Sequence, residues 1–365
     1  MQKIELSYAL AGQRGADALI RNPLMDLLHA VREQGSISAA AKALKFSYRH
    51  VWGELRRWEQ LLGHSLIVWE KGQAARLSEF GNKLLWAERQ AQARLSPQIE
   101  ALQADLERAF AVAFDDSAHV LTFYASHDDA LVALREHAQR LGRLHLDIRM
   151  TGSVDAIRAL NEGRCQMAGF HTLEQPSLGS LAQRTYKPLL KPGLHKIIGF
   201  ARRTQGLMVA RGNPLALHTL HDLVRHQARF ANRALGTGTR LLLDELLAQE
   251  TIAPAQVQGY EHTEPSHAAV AQAVASGQAD AGLGIAAAAQ ARGLDFVPLV
   301  QERYHLVCLK SALEQPATLA LRDLLRSAAW QQELSLIAGY TPALCGQVLS
   351  LRQLLPWWDF RKPKA

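Results

Sequence analysis

The stretch "NPLMDLLHAVREQGSISAAAKALKFSYRHVWGELRRWEQLLG", residues 22–63, restricts the fold more than any other part of the chain. It carries three helical patterns with a start or stop signal at every joint. Pro23 suits the first turn of a helix, where a missing N–H costs nothing. Leu24, Leu27, Leu28 and Val31 form one apolar stripe, and Gly35 supplies the left-handed residue that ends it. Ser36 or Ser38 caps a second, alanine-rich helix that ends near Leu44, and its small side chains let a third helix approach closely. Ser47 caps that third helix after a short turn, which is a helix-turn-helix layout. Val51, Leu55 and Trp58 fall at core spacing. Trp52 is also assigned to the interior, since one large aromatic on a short helix is normally packed. Ser47, Tyr48, Arg49 and Arg56 remain for other faces.

The sequel, "HSLIVWEKGQAARLSEFG", reads as a two-stranded wing: Leu66 to Trp69, a turn at Lys71 and Gly72, and a return through Arg76 and Leu77. Lys71 and Arg76 then flank a phosphate backbone. Between residues 42 and 76 there are seven Lys/Arg against three Glu, so more than half of the chain's net charge of +7 lies in a tenth of its length. Charge concentrated in this way suits double-stranded DNA as a partner. The DNA-binding candidates are Ser47, Tyr48, Arg49, Arg56, Lys71 and Arg76. The segment "GSISAAAKALKFSYRHVW" resembles the winged helix-turn-helix of molybdate-responsive ModE-type regulators over residues 24–85, and its "GSISAAAKAL" half is shared with LysR-type regulators.

From Ser78 the pattern is helical for about 36 residues, on the order of 50 Å of helix. Leu95, Ile99, Leu102, Leu106 and Ala109 are spaced 4, 3, 4 and 3, the spacing of a coiled-coil seam, so a homodimer is expected, with a dimer of dimers as a further assembly. Ser96 and Pro97 mark either a kink or a fresh helix start. The expected domains are a DNA-binding domain at 1–77, a linker and dimerisation helix at 78–115 and an effector domain at 116–365.

Past residue 116 strands and helices alternate. "HVLTFYAS", "LHLDIRMTGS" and "CQMAGFH" are strands separated by helices. "KIIGFARRTQGLMVARG" crosses to a second series of "ARFANR", "VQGYE" and "ADAGLGI", and "LDFVPL" and "RYHLVCLK" lead back. The fold class is therefore α/β with a helix-rich N-terminus, and the α/β part has two lobes, about 116–195 with 300–345, and 196–299. Ligands in such sheets bind at the carboxyl ends of strands, against the helices that follow. The residues at those places are Ser126, His127, Ser153, Thr237, Gly238, Thr239, Arg240, Ser266 and His267. Hydroxyls and glycine at helix starts point neutral donors and positive dipole at one spot, which suits a small anion. Arg240 and Arg233 add charge there or pair with Asp244 or Glu245 on the helix surface.

"FANRALGTGTRLLLDELL", "TEPSHAAVAQAVASGQADAGLGIAAAA" and "GLDFVPLVQERYHLV" resemble the periplasmic-binding-protein-like domain that occurs beside helix-turn-helix segments and molybdenum-cofactor biosynthesis proteins. The resemblance covers about 120–336 and implies a two-lobed type II binding-protein fold, with molybdate or tungstate as the effector. The paired small β-barrels of ModE-type regulators have no counterpart here. Two other effectors remain open: an organic carboxylate or molybdopterin against an aromatic wall of Phe170, Tyr124 or Tyr304, and a metal cation at His127, His171, His262 and His267.

Catalysis is not expected, and neither is a catalytic cofactor. Ser126, His127 and Asp128 are consecutive and cannot align as nucleophile, base and orienter; Cys165 is placed in a buried strand, and hydrolase, zinc-protease and P-loop motifs are missing from the chain. The start "MQKIELSYALAGQRGADALIRN" holds no apolar signal core, no apolar run reaches the roughly 18 residues of a membrane span, and the three cysteines are scattered. A cytoplasmic, disulfide-free protein away from membranes is expected.

Overall fold

A computed structural model describes residues 22–69, 75–114, 119–141 and 144–358. The chain divides into two compact units, residues 1–96 and 97–365. In the first, α1 (Pro23–Gln34), α2 (Ile37–Ala43) and α3 (Tyr48–Leu62) are each stopped or started by the expected residue. Gly35 closes α1 at φ 70°, Ser36 Oγ accepts from Ala39 N at 3.1 Å, and Ser47 Oγ accepts from His50 N at 3.1 Å. Leu24, Leu28, Val31, Ile37, Val51 and Leu55 make the core. The wing strands β1 (Ile67–Val68) and β2 (Arg76–Leu77) pair antiparallel, while Lys71 and Gly72 lie outside the described residues.

Trp52 packs against the core as expected but, like Trp58, is only partly buried. The inward stripe of α3 belongs to Val51 and Leu55, one turn apart, so the next residue round the helix is only half-buried. Its ring lies 4.8 Å from that of Trp69, and the Arg56 guanidinium sits 4.5 Å above it.

Helix α4 (Glu79–Phe114) runs through both units without interruption. Pro97 is inside it, so Ser96 does not cap a new helix. Leu95, Leu102 and Leu106 are exposed, Leu102 by 59%, and Ala109 is exposed as well; only Ile99 is half-buried. The spaced apolar row therefore faces away from the chain's own core.

The second unit begins with β3 (His119–Ala125), α5 (Asp129–Leu141), β4 (Leu144–Met150), α6 (Ser153–Asn161), β5 (Met167–Leu173) and α7 (Leu181–Tyr186). The long strand β6 (His195–Val209) leads to α8 (Leu220–Arg225), β7 (Phe230–Arg233), α9 (Gly238–Gln249), β8 (Thr263–Glu264), α10 (His267–Ala275), β9 (Ala281–Ile285) and α11 (Ala286–Gln290). A second long strand, β10 (Asp295–Leu309), returns to α12 (Pro316–Arg326), α13 (Ala328–Leu336), β11 (Tyr340–Pro342), β12 (Val348–Ser350) and α14 (Leu351–Leu354).

The strand order is β4-β3-β5-β10-β6-β9-β7-β8. Parallel pairs at each end, β3 with β4 and β5, and β7 with β8 and β9, come from crossover helices; the antiparallel pair β6 and β10 joins the two halves. Their register shifts at Pro298/Val300 and again at Tyr304/His305. The "LDFVPL" and "RYHLVCLK" segments are one continuous strand, since Val300–Arg303 stays in the ladder.

Two boundaries differ from expectation. "VQGYE" is a turn, because Gly259 takes φ 86° against the Phe230 backbone; the strand beside β7 comes later, at Thr263 and Glu264. The first lobe also continues past residue 345. There β12 pairs with β6, and Leu351, Leu355 and Trp357 are buried with Ile157, Leu160 and Phe170.

At the crossing of β6 and β10, a Cβ on Gly206 would lie 2.2 Å from the Val297 carbonyl oxygen, so only glycine lets the strands meet there. Gly206→Ala is expected to destabilise the second unit by about 1–3 kcal/mol, as overpacking does. Urea unfolding followed by tryptophan fluorescence measures it, and an unchanged midpoint contradicts the close approach.

Candidate functional site

At the middle of the two long strands, Arg203 of β6 is fully buried and held by two carboxylates, Glu302 of β10 and Asp128 of the β3–α5 loop. Tyr340 Oη donates to the same Asp128 at 2.7 Å, and Gln205 Nε2 donates to Glu302 at 3.0 Å. Burial opposes the Arg203 charge, but Glu302, Tyr340 and Asp128 outweigh it and keep the pKa well above the ordinary arginine value. Neighbouring Arg202 points the other way, is exposed, and pairs with Glu174 at 2.7 Å.

Around this network the chain brings together elements from both halves. From the first come Ser126 and His127 after β3, Ser153 at the start of α6, and His171 on β5; from the second come Arg233 at the end of β7 and the starts of α9 and α10. Ser126 Oγ and Ser153 Oγ are 3.4 Å apart. A Cβ on Gly238 would stand 3.0 Å from His171 Nδ1 and 3.2 Å from Ser153 Oγ, and one on Gly152 would stand 2.6 Å from the Gly236 carbonyl oxygen. The loops of the two halves are thus in contact. The void that His171, Gly238 and Glu302 share measures about 10 Å³, the room of a single water.

The hydroxyls are largely engaged within the protein. Thr237 is the N-cap of α9, accepting from Arg240 N at 3.3 Å and donating to the Ala234 carbonyl at 2.8 Å; Ser266 caps α10, accepting from Ala269 N at 3.1 Å. Thr239 Oγ1 accepts from Gln205 Nε2 at 3.1 Å and is 3.3 Å from His267 Nε2. Two placements refine the sequence reading. Ser126 precedes α5 by three positions and does not cap it; Asp128 does so, accepting from Ala130 N at 2.9 Å. Arg240 lies along its own helix, 3.2 Å from Asp244 Oδ1 and 4.0 Å over the Tyr260 ring, which is the surface pairing considered as its alternative.

Arg233 behaves differently. It is 2% exposed, its Nε and Nη1 have no hydrogen-bond partner, and among the described residues no carboxylate lies within ion-pair distance of it. Burial and the adjacent Arg203 charge push its pKa down to about 9, against the pull of Asp128 and Glu264, so it stays charged at neutral pH. A buried guanidinium with two unbonded nitrogens is costly, and those nitrogens are donors without an acceptor. Two imidazoles accompany it. Neither nitrogen of His171 has a partner, nor does Nδ1 of His267, and the His171 ring lies on Tyr304 at 3.9 Å.

The other sequence candidates scatter. Phe170 packs into the core against Tyr186 and His305, Tyr124 is half-buried near Arg149 and Arg164, and His262 is partly exposed, 3.4 Å from Glu264. Among the described residues no group of three His, Cys, Asp or Glu is placed to hold a metal ion. Cys165 is buried, and burial pushes its thiol up to about 12. Arg203, Gln205 and Glu302 were not singled out from sequence. Their signal was faint: polar and charged residues inside strands that hold several others, with alternation unable to say which of Arg202 and Arg203 turns inward.

In the first unit Tyr48, Arg49 and Arg76 are exposed; Arg56 is exposed as well, but pairs with Glu59 at 2.9 Å. The Glu59 carboxylate also accepts from Leu66 N and Ile67 N at 2.7 and 3.1 Å, fastening the wing to α3. Among the described residues no helix is long and apolar enough to cross a membrane.

Comparison with known proteins matches residues 134–326 to the PBP superfamily domain and residues 24–82 to the bacterial regulatory helix-turn-helix protein, lysR family. The chain is 35% identical over 198 residues to the uncharacterized protein YvgK of Bacillus subtilis (strain 168), spanning 54% of this chain and 63% of that one, less than two thirds of its length. It is 35% identical over 111 residues to an uncharacterized protein in the ferredoxin 2Fe-2S gene 5′ region of Clostridium pasteurianum, covering 30% of this chain and 98% of that one. Among solved structures it is similar to a Corynebacterium glutamicum OxyR C206 mutant, with 18% identity, a TM-score of 0.41, and coverage of 84% of this chain and 92% of that one.

The site predicts a pH dependence. Burial, then the nearby guanidiniums, hold the pKa values of His171 and His267 well below 6.5, and burial lowers that of His305 to about 3. Below pH 6.5 the unfolded chain binds protons that the folded chain refuses, so stability falls as pH drops, by about 1.4 kcal/mol per pH unit for each histidine. Urea unfolding at pH 7, 6 and 5 should show this slope, with His305→Gln removing one histidine's share. A flat profile over that interval contradicts the burial of neutral imidazoles.

Proposed function

Because the chain belongs to the PBP superfamily and carries a lysR-family regulatory helix-turn-helix ahead of that domain, we propose that it is a ligand-responsive transcriptional regulator whose effector is a small oxyanion. The observation that carries the anion is Arg233, a buried cation whose Nε and Nη1 have no hydrogen-bond partner; Asp128 and Glu264 act on it only as charges. An anion seated there accepts from those nitrogens, and the starts of α6, α9 and α10 add backbone dipoles of the same sign as Arg233. The same arrangement disfavours a metal cation, which Arg233 repels. The void of about 10 Å³ beside His171 is lined by Glu245 and Glu302 rather than by Arg233, so any ligand at Arg233 requires the two halves to part, a pterin more than a tetrahedral oxyanion such as molybdate or tungstate.

The DNA-contacting face is the exposed side of α3, with Tyr48 and Arg49 at base edges, the turn at Ser47 and the Arg76 strand near phosphates. Two reading heads are supplied by pairing of two chains along the apolar row of α4, whose leucines Leu102 and Leu106 are exposed in the single chain. Effector binding acts on DNA only through a difference in affinity between two states of the protein.

Calorimetry of the full chain against molybdate, tungstate, sulfate, phosphate and a panel of carboxylates tests the effector. At about 100 times its dissociation constant an effector adds roughly 2.7 kcal/mol of stability. Arg233→Gln should lose at least about a hundredfold in affinity, in keeping with removal of a charged partner. Its fold should be kept, because a buried guanidinium with two unbonded nitrogens is replaced by a neutral amide. Heat with a carboxylate and none with any oxyanion contradicts the proposal and favours an organic effector.

On duplex DNA selected from a random pool, Arg49→Ala should cost about 1–3 kcal/mol for the selected sequence, whereas Arg76→Ala should weaken all sequences alike and lower the salt slope by about one. Equal losses on selected and random duplex for both variants reduce Arg49 to a backbone contact.

A further inference from the structure

Buried carboxylates around the candidate site outnumber its guanidiniums before any ligand arrives: Arg203 and Arg233 stand against Asp128, Glu302 and Glu264, the last in register with Arg233. A monoanion seated by Arg233 therefore adds one more negative charge, and a dianion two, in a place closed to water. Among the described residues Arg240 and Arg303 already have carboxylates of their own, Asp244 and Glu174.

What the site does hold is two imidazoles with unpartnered nitrogens. His171 is buried with both ring nitrogens unbonded, and His267 is buried with Nδ1 unbonded. They flank the first residues of α9: His171 Nδ1 lies 3.0 Å from where a Cβ on Gly238 would be, and His267 Nε2 lies 3.3 Å from Thr239 Oγ1. Resting on the oxyanion reading, we propose that binding of a dianion to this site is coupled to uptake of a proton by His171 or His267, so that a neutral imidazole becomes a charged donor to the ligand.

The groups facing the two rings decide the sign. Towards His171 these are Arg203 on β6, His305 and Tyr304 on β10, and Arg233 on β7, with Glu302 and, on α9, Glu245 lining the same void. Towards His267 they are Arg233, Arg203, His127 and His171, with Glu264 on β8, the strand packed against α10. Positive neighbours dominate, and with burial they keep both rings neutral in the free protein. A dianion placed among them reverses that balance: one negative charge about 4 Å away raises the proton affinity of an imidazole about a thousandfold at the effective dielectric of protein interiors.

The test is calorimetry of the full-length protein with tungstate, a dianion, and perrhenate, a tetrahedral monoanion, in Tris and in HEPES, whose ionisation heats differ. For tungstate the apparent enthalpy should differ between the buffers by the heat of one proton taken up, and affinity should fall by up to about tenfold per unit of rising pH between 6.5 and 8.5. Perrhenate should show a much smaller buffer difference. His171→Gln and His267→Gln should each be compared, and the one that carries the proton loses the buffer difference for tungstate. Tungstate binding with equal enthalpy in both buffers and a flat pH profile overturns the proton coupling alone and leaves the anion site standing. Failure of tungstate, molybdate, sulfate and phosphate to bind at all overturns the anion reading, and this inference with it.

Discussion

The second unit is organised around one buried cation, Arg203, on the long strand β6. Its two carboxylate partners come from different places: Glu302 from the antiparallel strand β10, and Asp128 from the loop that opens α5. The same Asp128 receives the Tyr340 hydroxyl and caps α5, so one ion cluster ties together both crossover strands, the first helix of the first lobe and the C-terminal part of the chain. Burying three charges is tolerated only because each has its partners. The positions of Gln205, Thr239 and His267 follow in a chain of hydrogen bonds from Glu302 outward.

Arg233 stands beside this cluster without sharing in it. The two arginines repel each other across the interior, and only Arg203 has carboxylates within ion-pair distance among the described residues. Buried polar groups left without a partner are uncommon in native proteins. The contrast between the two arginines is what the proposed reading rests on, since most of the hydroxyls already cap helices or bond to side chains.

Much of this was legible in the sequence. The helix-turn-helix announced itself through Pro23, Gly35, Ser36 and Ser47, because caps and stops are local chemistry that a few neighbouring residues decide. The helix starts at Ser153, Thr237 and Ser266 were legible for the same reason. What was not legible depends on contacts distant in sequence. Arg203 meets Asp128 75 residues away and Glu302 99 residues away. Nothing local to "FARRT" says which arginine turns inward. Arg240 and Arg233 looked equivalent, yet Asp244 one helical turn on captures the first, while the second ends a strand whose neighbours are fixed by sheet order. Trp52 packs against the core from one step of helical rotation off its centre, and periodicity over one short helix does not resolve that partial burial.

The contact between Gly152 and the Gly236 carbonyl bears on time as well as on affinity. Both residues lack a side chain, so the two halves meet backbone to backbone and no flexible group can swing aside as a door. On the proposed reading, an anion bound between the halves leaves only when this backbone contact parts, so how long it stays depends on how readily the two halves separate and not on the swing of one side chain.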